Sequence, residues 1–255
     1  MIRIIMNGCN GKMGQVIGKL VKENGCQIVA GIDKFPGDGN NFQMFDSIEK
    51  CSVPADVIID FSHPSAFDKL TEYAVKNKLP LVLCTTGLSE DQTEKLKNEI
   101  AAKIPVFKSA NMSLGINLLI DLVKKAAKFL EGNFDIEIVE KHHNQKIDAP
   151  SGTALQIADG INDSLKQPCE YIYDRHDSSE KRGKTQIGLH AVRGGTIVGD
   201  HSVIFAGYNE VIEINHSAAS RDVFAIGAIR AAKFLADKSP GFYDMNDMLR
   251  QDIQL

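Results

Sequence analysis

Between Glu140 and Leu155 the chain reads EKHHNQKIDAPSGTAL. Two adjacent histidines, a lysine and an aspartate precede a Pro-Ser-Gly-Thr run. Groups of these types can hold an anion and exchange a proton with it. His142 and His143 do not have the i, i+4 spacing of a helical zinc pair, and no cysteine stands near them. On a continuing strand they would point to opposite faces. No metal is expected here. Downstream, Ala154, Ile157, Ile161 and Leu165 fall on one face of a predicted helix. Ser151 is its expected N-cap. The N–H groups of Gly152 and Thr153 would then face outward, where a helix N-terminus favours a carboxylate. Lys146 and the two histidines add charge and proton donors. A capped helix behind a solvated polar turn is the plainer reading of the same residues.

A second stretch with chemical potential opens the chain, IRIIMNGCNGKMG. An apolar run rich in β-branched residues leads into Gly8, Gly11 and Gly14, and a helical pattern follows. A pyrophosphate is stabilised at a helix N-terminus by unpaired N–H groups and the helix dipole. Glycines let the backbone turn tightly and approach the ligand. The spacing is G-x-x-G-x-x-G, not the G-x-G-x-x-G of the dinucleotide fingerprint, so the strand–loop–helix context carries the reading. A second predicted strand ends at Asp33, about 20 residues past the loop, where an acid bonds the adenosine ribose. Lys34 beside it suits a 2′-phosphate, so either NADH or NADPH is expected. Lys12 adds a cation inside the loop. A βα turn without a ligand is the competing reading. CTTG, from Cys84 through Thr85 and Thr86, and SANMS, from Ser109 through Ala110, Asn111 and Met112, end two further predicted strands. Ligands bind at such ends in open α/β sheets, which makes both stretches candidates for the nicotinamide side; ordinary strand-end turns fit them equally well.

The elements that must position these groups change character along the chain. In the first half, short apolar strands alternate with helices, and Ser89 caps one of them before an acidic turn. That pattern predicts a parallel sheet covered on both faces. From Asn111 onward it changes. SLGINLLIDLVKKAAKFLEG sets Leu114, Leu118, Leu119, Leu122 and Ala126 at helical spacing, with Gly132 to end the helix. FDIEIVEKHHN alternates as a strand, and three long strand candidates with hairpin-length connections follow, which predicts an antiparallel or mixed sheet. A last helix, DVFAIGAIRAAKFLADK, is free to return to the first region.

The 255 residues suffice for one large domain or two small ones. A formal charge of −4 without a basic block speaks against nucleic acid as the main partner. No apolar run reaches the roughly 18 residues of a membrane span, and glycines interrupt the N-terminal apolar run where a signal peptide would continue. Five scattered cysteines without a C-x-x-C pair suggest free thiols in a cytoplasmic setting.

EKHHNQKIDAPSGTAL is similar to E-x-H-H-x-x-K-x-D-x-P-S-G-T-A, the signature of the dihydrodipicolinate reductase family. GCNGKMG, DVIIDFSHP, TTGL, SANMSLGIN, DIEIVE and IGLHAVRGG also fall in that family's order, so the resemblance spans the chain. It implies an α/β architecture: a Rossmann-type, parallel-sheet dinucleotide domain (1–112 and 222–255) and a mixed-sheet α+β domain (113–221) for substrate and assembly. The implied reaction is NADH- or NADPH-dependent reduction of 4-hydroxy-tetrahydrodipicolinate in lysine and diaminopimelate biosynthesis, by a cytoplasmic homotetramer acting on a small dicarboxylate. By position, His142 and Lys146 match the catalytic pair, with Lys146 the proton donor. His143, Ser151, Gly152 and Thr153 match substrate-binding positions. Gly8, Cys9, Asn10, Gly11, Lys12, Met13, Asp33, Lys34, Cys84, Thr85, Thr86, Ser109, Ala110, Asn111 and Met112 match cofactor contacts. Cys84 departs from the family's usual glycine. A related two-domain oxidoreductase on another small carboxylate or imine, or a nucleotide-sensing Rossmann protein, remain alternatives at this point.

Overall fold

The computed structural model describes residues 1–35, 41–176 and 179–253. Two compact units emerge, Met1–Leu114 with Arg221–Leu255, and Gly115–Ser220. The first begins β1 (Ile2–Asn7), α1 (Lys12–Leu20), β2 (Cys26–Ile32), β3 (Gln43–Phe45), β4 (Val57–Asp60), α2 (Phe67–Lys76), β5 (Leu81–Leu83), α3 (Glu90–Lys95) and β6 (Pro105–Lys108). Next come α4 (Leu114–Leu130), β7 (Asp135–His142), α5 (Gly152–Asn162), β8 (Glu170–Ile172), β9 (Gln186–Arg193), β10 (Gly199–Gly207) and β11 (Glu210–Ala218). The chain then returns to the first unit through α6 (Asp222–Leu235), β12 (Gly241–Tyr243) and α7 (Met245–Ile253).

The first unit carries a seven-stranded sheet ordered β12-β6-β5-β4-β1-β2-β3, parallel throughout. The order reverses between β1 and β4, the switch point at which such sheets bind ligands. Because both faces are covered, β4 is buried at every position. One face packs α1 and α6 through Ile17, Ala228 and Ile229, and the other packs α2 through Phe67 and Leu70 and the turn after α3 through Leu96. Each such large apolar side chain contributes about 1.5–3 kcal/mol on burial. Ser89 caps α3 in a reciprocal capping box with Gln92, as the sequence predicts.

The second unit is a mixed sheet ordered β11-β10-β7-β9-β8, in which β7 runs parallel to β9 and antiparallel to β10. One correction follows. β9 and β10 are consecutive with a short connection, but β7 lies between them, so they form no hairpin. The buried row of β7 seeks two neighbours, and a central position supplies both. Helix α4 also differs from expectation. It buries Ile116, Leu119, Val123, Ala127 and Leu130, whereas Leu118 and Leu122 stay over 40% exposed. Two apolar stripes share this helix, and the one with the 3-4-4-3 spacing faces the sheet.

Helices α4 and α5 cover one sheet face through Val123, Ile157 and Ile161, against Ile138, Leu189 and Phe205. The core-facing row of β7 is Ile136, Ile138, Glu140, His142. It is apolar in its middle and turns charged at its end, and the candidate site begins there.

Candidate active site

In the first unit the glycine loop follows β1. Gly8 has φ +80°, and a Cβ there would lie 2.6 Å from the Phe61 carbonyl oxygen. A Cβ on Gly14 would lie 2.4 Å from the Gly8 carbonyl oxygen. The two glycines thus allow the loop to pass close to the end of β4 and α1 to pack close to the loop. No side chain caps α1 at Gly11, so its first N–H groups remain available to an anion. Asp33 accepts from the Asn10 N–H (3.1 Å) and the Phe35 N–H (3.3 Å), tying the strand end to the loop.

Gly8, Gly11, Asp33 and Lys34 line a cleft of about 630 Å³ together with Phe61 and Ser62. That volume is in the range of small-molecule sites. Cys9 and Asn10 line a neighbouring hollow on the α1 side, whereas Lys12 and Met13 lie on the first turn of α1 itself. The stretch from Cys84 to Thr86 follows β5, and that from Ser109 to Met112 follows β6; neither lines the cleft. Met112 is a core residue, and the Thr85 side chain is committed to Asp60 at 2.5 Å. These two side chains are thus engaged within the fold. The Cys84 side chain packs against the core, and burial, then the Asp60 charge, pushes its thiol well up, so it is protonated.

Sequence reasoning did not single out Asp60. It is buried and accepts from Asn7 Nδ2 (2.7 Å), Ser62 Oγ (2.6 Å) and Thr85 Oγ1, joining the ends of β1, β4 and β5. Burial raises its carboxyl above the ordinary range despite those donors. The only sequence hint was its place at the end of the apolar run DVIID.

In the second unit His142 closes β7. Its Nδ1 lies 2.5 Å from Glu140 Oε2, and its ring meets His201 edge-on at 5.3 Å. Arg193 at the end of β9 forks onto Glu140, Nη1 to Oε2 at 2.8 Å and Nη2 to Oε1 at 2.7 Å. Burial pushes the Glu140 carboxyl up, but donors from Arg193, His142 and the Ser151 N–H outweigh it and hold it below its ordinary value. Burial, then His142, pushes His201 down to about 4, so it is neutral.

Ser151 is the N-cap of α5: its hydroxyl accepts from the Ala154 N–H at 3.1 Å, and its own N–H donates to Glu140 Oε1 at 3.0 Å. The hydroxyl is also 3.3 Å from His201 Nε2. The Ser151 side chain is thus engaged within the fold, and Gly152 and Thr153 open α5 behind it. Lys146 Nζ contacts Asp148 Oδ1 at 2.7 Å. The Asp148 carboxylate also takes the Gly152 N–H, and Lys146 first, with that N–H among lesser causes, holds it below the ordinary range. A carboxylate thus already sits between the lysine and the helix N-terminus. His143 Nδ1 is buried with no partner among the described residues. Glu140, Arg193 and His201 were missed by sequence reasoning. Strand alternation alone set Glu140 on the face of His142, whereas Arg193 required the β7–β9 pairing, which puts it opposite His142.

Two family models together match nearly the whole chain: "Dihydrodipicolinate reductase, N-terminus" over residues 2–112 and "Dihydrodipicolinate reductase, C-terminus" over residues 115–249. This chain belongs to the dihydrodipicolinate reductase family. A curated 4-hydroxy-tetrahydrodipicolinate reductase from Caldanaerobacter subterraneus subsp. tengcongensis is 57% identical, covering 98% of this chain and 99% of its own. One from Clostridium tetani is 53% identical, covering 98% and 97%. Among solved structures, a dipicolinate-bound dihydrodipicolinate reductase from Paenisporosarcina sp. TG-14 shares the fold, with a TM-score of 0.80 at 24% identity over 96% of this chain and 99% of that one. Of the charged residues clustered in the second unit, Glu140, His142, Lys146 and Asp148 lie in the stretch from Glu140 to Ala154 that resembles the family signature, and Arg193 lies outside it.

Proposed function

We propose that the chain reduces 4-hydroxy-tetrahydrodipicolinate, with loss of water, to tetrahydrodipicolinate at the expense of NADH or NADPH. The observation that carries this reading is the cluster of Lys146, Asp148 and the α5 N-terminus. It is a carboxylate site built from the signature that the family shares.

The loop fits a dinucleotide, because Gly8 and Gly14 let the strand–loop–helix turn close tightly and the α1 N-terminus carries no side-chain cap. Bound there, NADH or NADPH supplies the hydride. Residues 8–13 hold the pyrophosphate, Asp33 the adenosine ribose and Lys34 a 2′-phosphate. The backbone of residues 84–86 and 109–112 serves the nicotinamide side. A substrate carboxylate takes the place of Asp148 against Lys146 and the Gly152 and Thr153 N–H groups, and His143 Nδ1 donates to it. Lys146 delivers the proton to the ring carbon adjoining the reduced one, and His142 orients the ring.

A homotetramer is supported by the second unit. Among the described residues β11 ends its sheet with one edge unpaired, and Val192 on β9 and Val211 and Ile212 on β11 stand exposed. Five free cysteines fit a reducing cytoplasm. No helix among the described residues is long and apolar enough to cross a membrane.

The test is a steady-state assay with each cofactor on substrate generated in situ by the enzyme that makes it. The expected result is substrate-dependent oxidation of both NADH and NADPH, followed by absorbance. Oxidation of neither overturns the reading. Light scattering is expected to return the mass of four chains, and a monomer mass overturns the assembly.

A further inference from the structure

Glu140 is 0% exposed, and its two oxygens accept from Arg193 Nη1 and Nη2, His142 Nδ1 and the Ser151 N–H. A buried carboxylate is costly unless paired, and Ile136 and Ile138 occupy the same row further back. An apolar side chain would end the row equally well if packing were its whole purpose. The His142 ring offers a second observation. With Nδ1 turned to Glu140, Nε2 turns toward β10, where Gly199 stands. A Cβ at that position would come within 3.1 Å of Nε2. The strand thus omits a side chain where that nitrogen needs room.

We infer that Glu140 is a positioning residue which, held by Arg193, fixes the His142 proton on Nδ1, presents Nε2 to the substrate and stabilises the imidazolium when Nε2 is protonated. A proton taken from solvent at Nε2 makes the imidazolium, and its release returns the neutral ring; Glu140 stays a carboxylate throughout. A carboxylate on the far nitrogen acts in this way on histidines generally. The other groups facing His142 agree. Arg193 on β9 is neutralised by Glu140. His201 on β10, with Asp200 and His216 beyond it, is neutral above about pH 4 and adds no opposing charge. Ser151 of α5 is uncharged. This inference rests on the reading of His142 as part of the catalytic pair.

The test uses the full chain labelled with nitrogen-15 in its histidine rings, without ligand, with His142→Gln to assign the signal. The wild type is expected to carry its neutral-form proton on Nδ1. In Glu140→Gln that proton is expected to spread over both ring nitrogens. In the same variant kcat at neutral pH is expected to fall about tenfold, with the KM for NADH unchanged. A wild-type proton on Nε2, or an unchanged kcat in Glu140→Gln, overturns the inference. The wild-type tautomer decides the matter even if Glu140→Gln does not fold. The nuclear magnetic resonance readings need no substrate, so a chain that reduces nothing would overturn the proposed function and leave this inference to be judged separately.

Discussion

The glycine loop of the first unit and the strand end of the second, the two places proposed to hold an anion, are built by opposite means. Around Gly8 and Gly14 the chain removes side chains, so that backbone packs on backbone and the α1 N-terminus is left without a side-chain cap. Around Glu140, His142, Lys146 and Arg193 it adds charged side chains and satisfies them against one another. The first arrangement is steric and tolerates little added volume. The second is electrostatic and tolerates little change of charge. A substitution therefore reports which kind of site it has entered.

The sharpest way to break this contrast is Gly8→Ala. Its φ of +80° and the 2.6 Å approach to Phe61 leave no room for a methyl group. Cofactor affinity, read by fluorescence titration, is expected to fall at least about 10²-fold, with backbone strain of about 1–3 kcal/mol appearing as a lower Tm. Unchanged affinity would show that the loop does not meet the cofactor. Gly199→Ala adds the same methyl in the other unit. There it displaces His142 rather than backbone, so kcat is expected to fall about tenfold with cofactor affinity untouched. Asp33→Ala is expected to weaken NADH about tenfold more than NADPH, the loss of one hydrogen bond to a charged group. Equal losses would remove Asp33 from the ribose.

The last effect falls on stability and not on activity, and it concerns pH. His201 is held down to about 4 from an ordinary 6.5, chiefly by burial. The unfolded chain therefore binds a proton that the folded chain refuses. Stability is full above pH 6.5 and is lost as pH falls toward 4, by on the order of 2–3 kcal/mol for this group. His201→Gln is expected to flatten the decline of Tm between those pH values. An identical slope in wild type and variant would place the group elsewhere.

Much of this was legible in the sequence, for identifiable reasons. The loop after β1 and the caps at Ser89 and Ser151 are local, since the residues that form each lie within a few positions of one another. β3, β8 and β12 span three residues each, too few for alternation to register, and they sit at or next to sheet edges. The insertion of β7 between β9 and β10 depends on pairing across distant sequence. With it went the Arg193–Glu140 contact, which no local pattern encodes. The two stripes of α4 were ambiguous for a simpler reason, because both are apolar at helical spacing.

The central claim is that the charged cluster at Lys146 carries the chemistry and the glycine loop carries the cofactor. Lys146→Ala tests it most directly, with kcat and NADH affinity measured on the same preparation. The account predicts that kcat falls about 10²–10³-fold while NADH binds as in the wild type. A variant that loses NADH affinity, or that keeps its kcat, would contradict it.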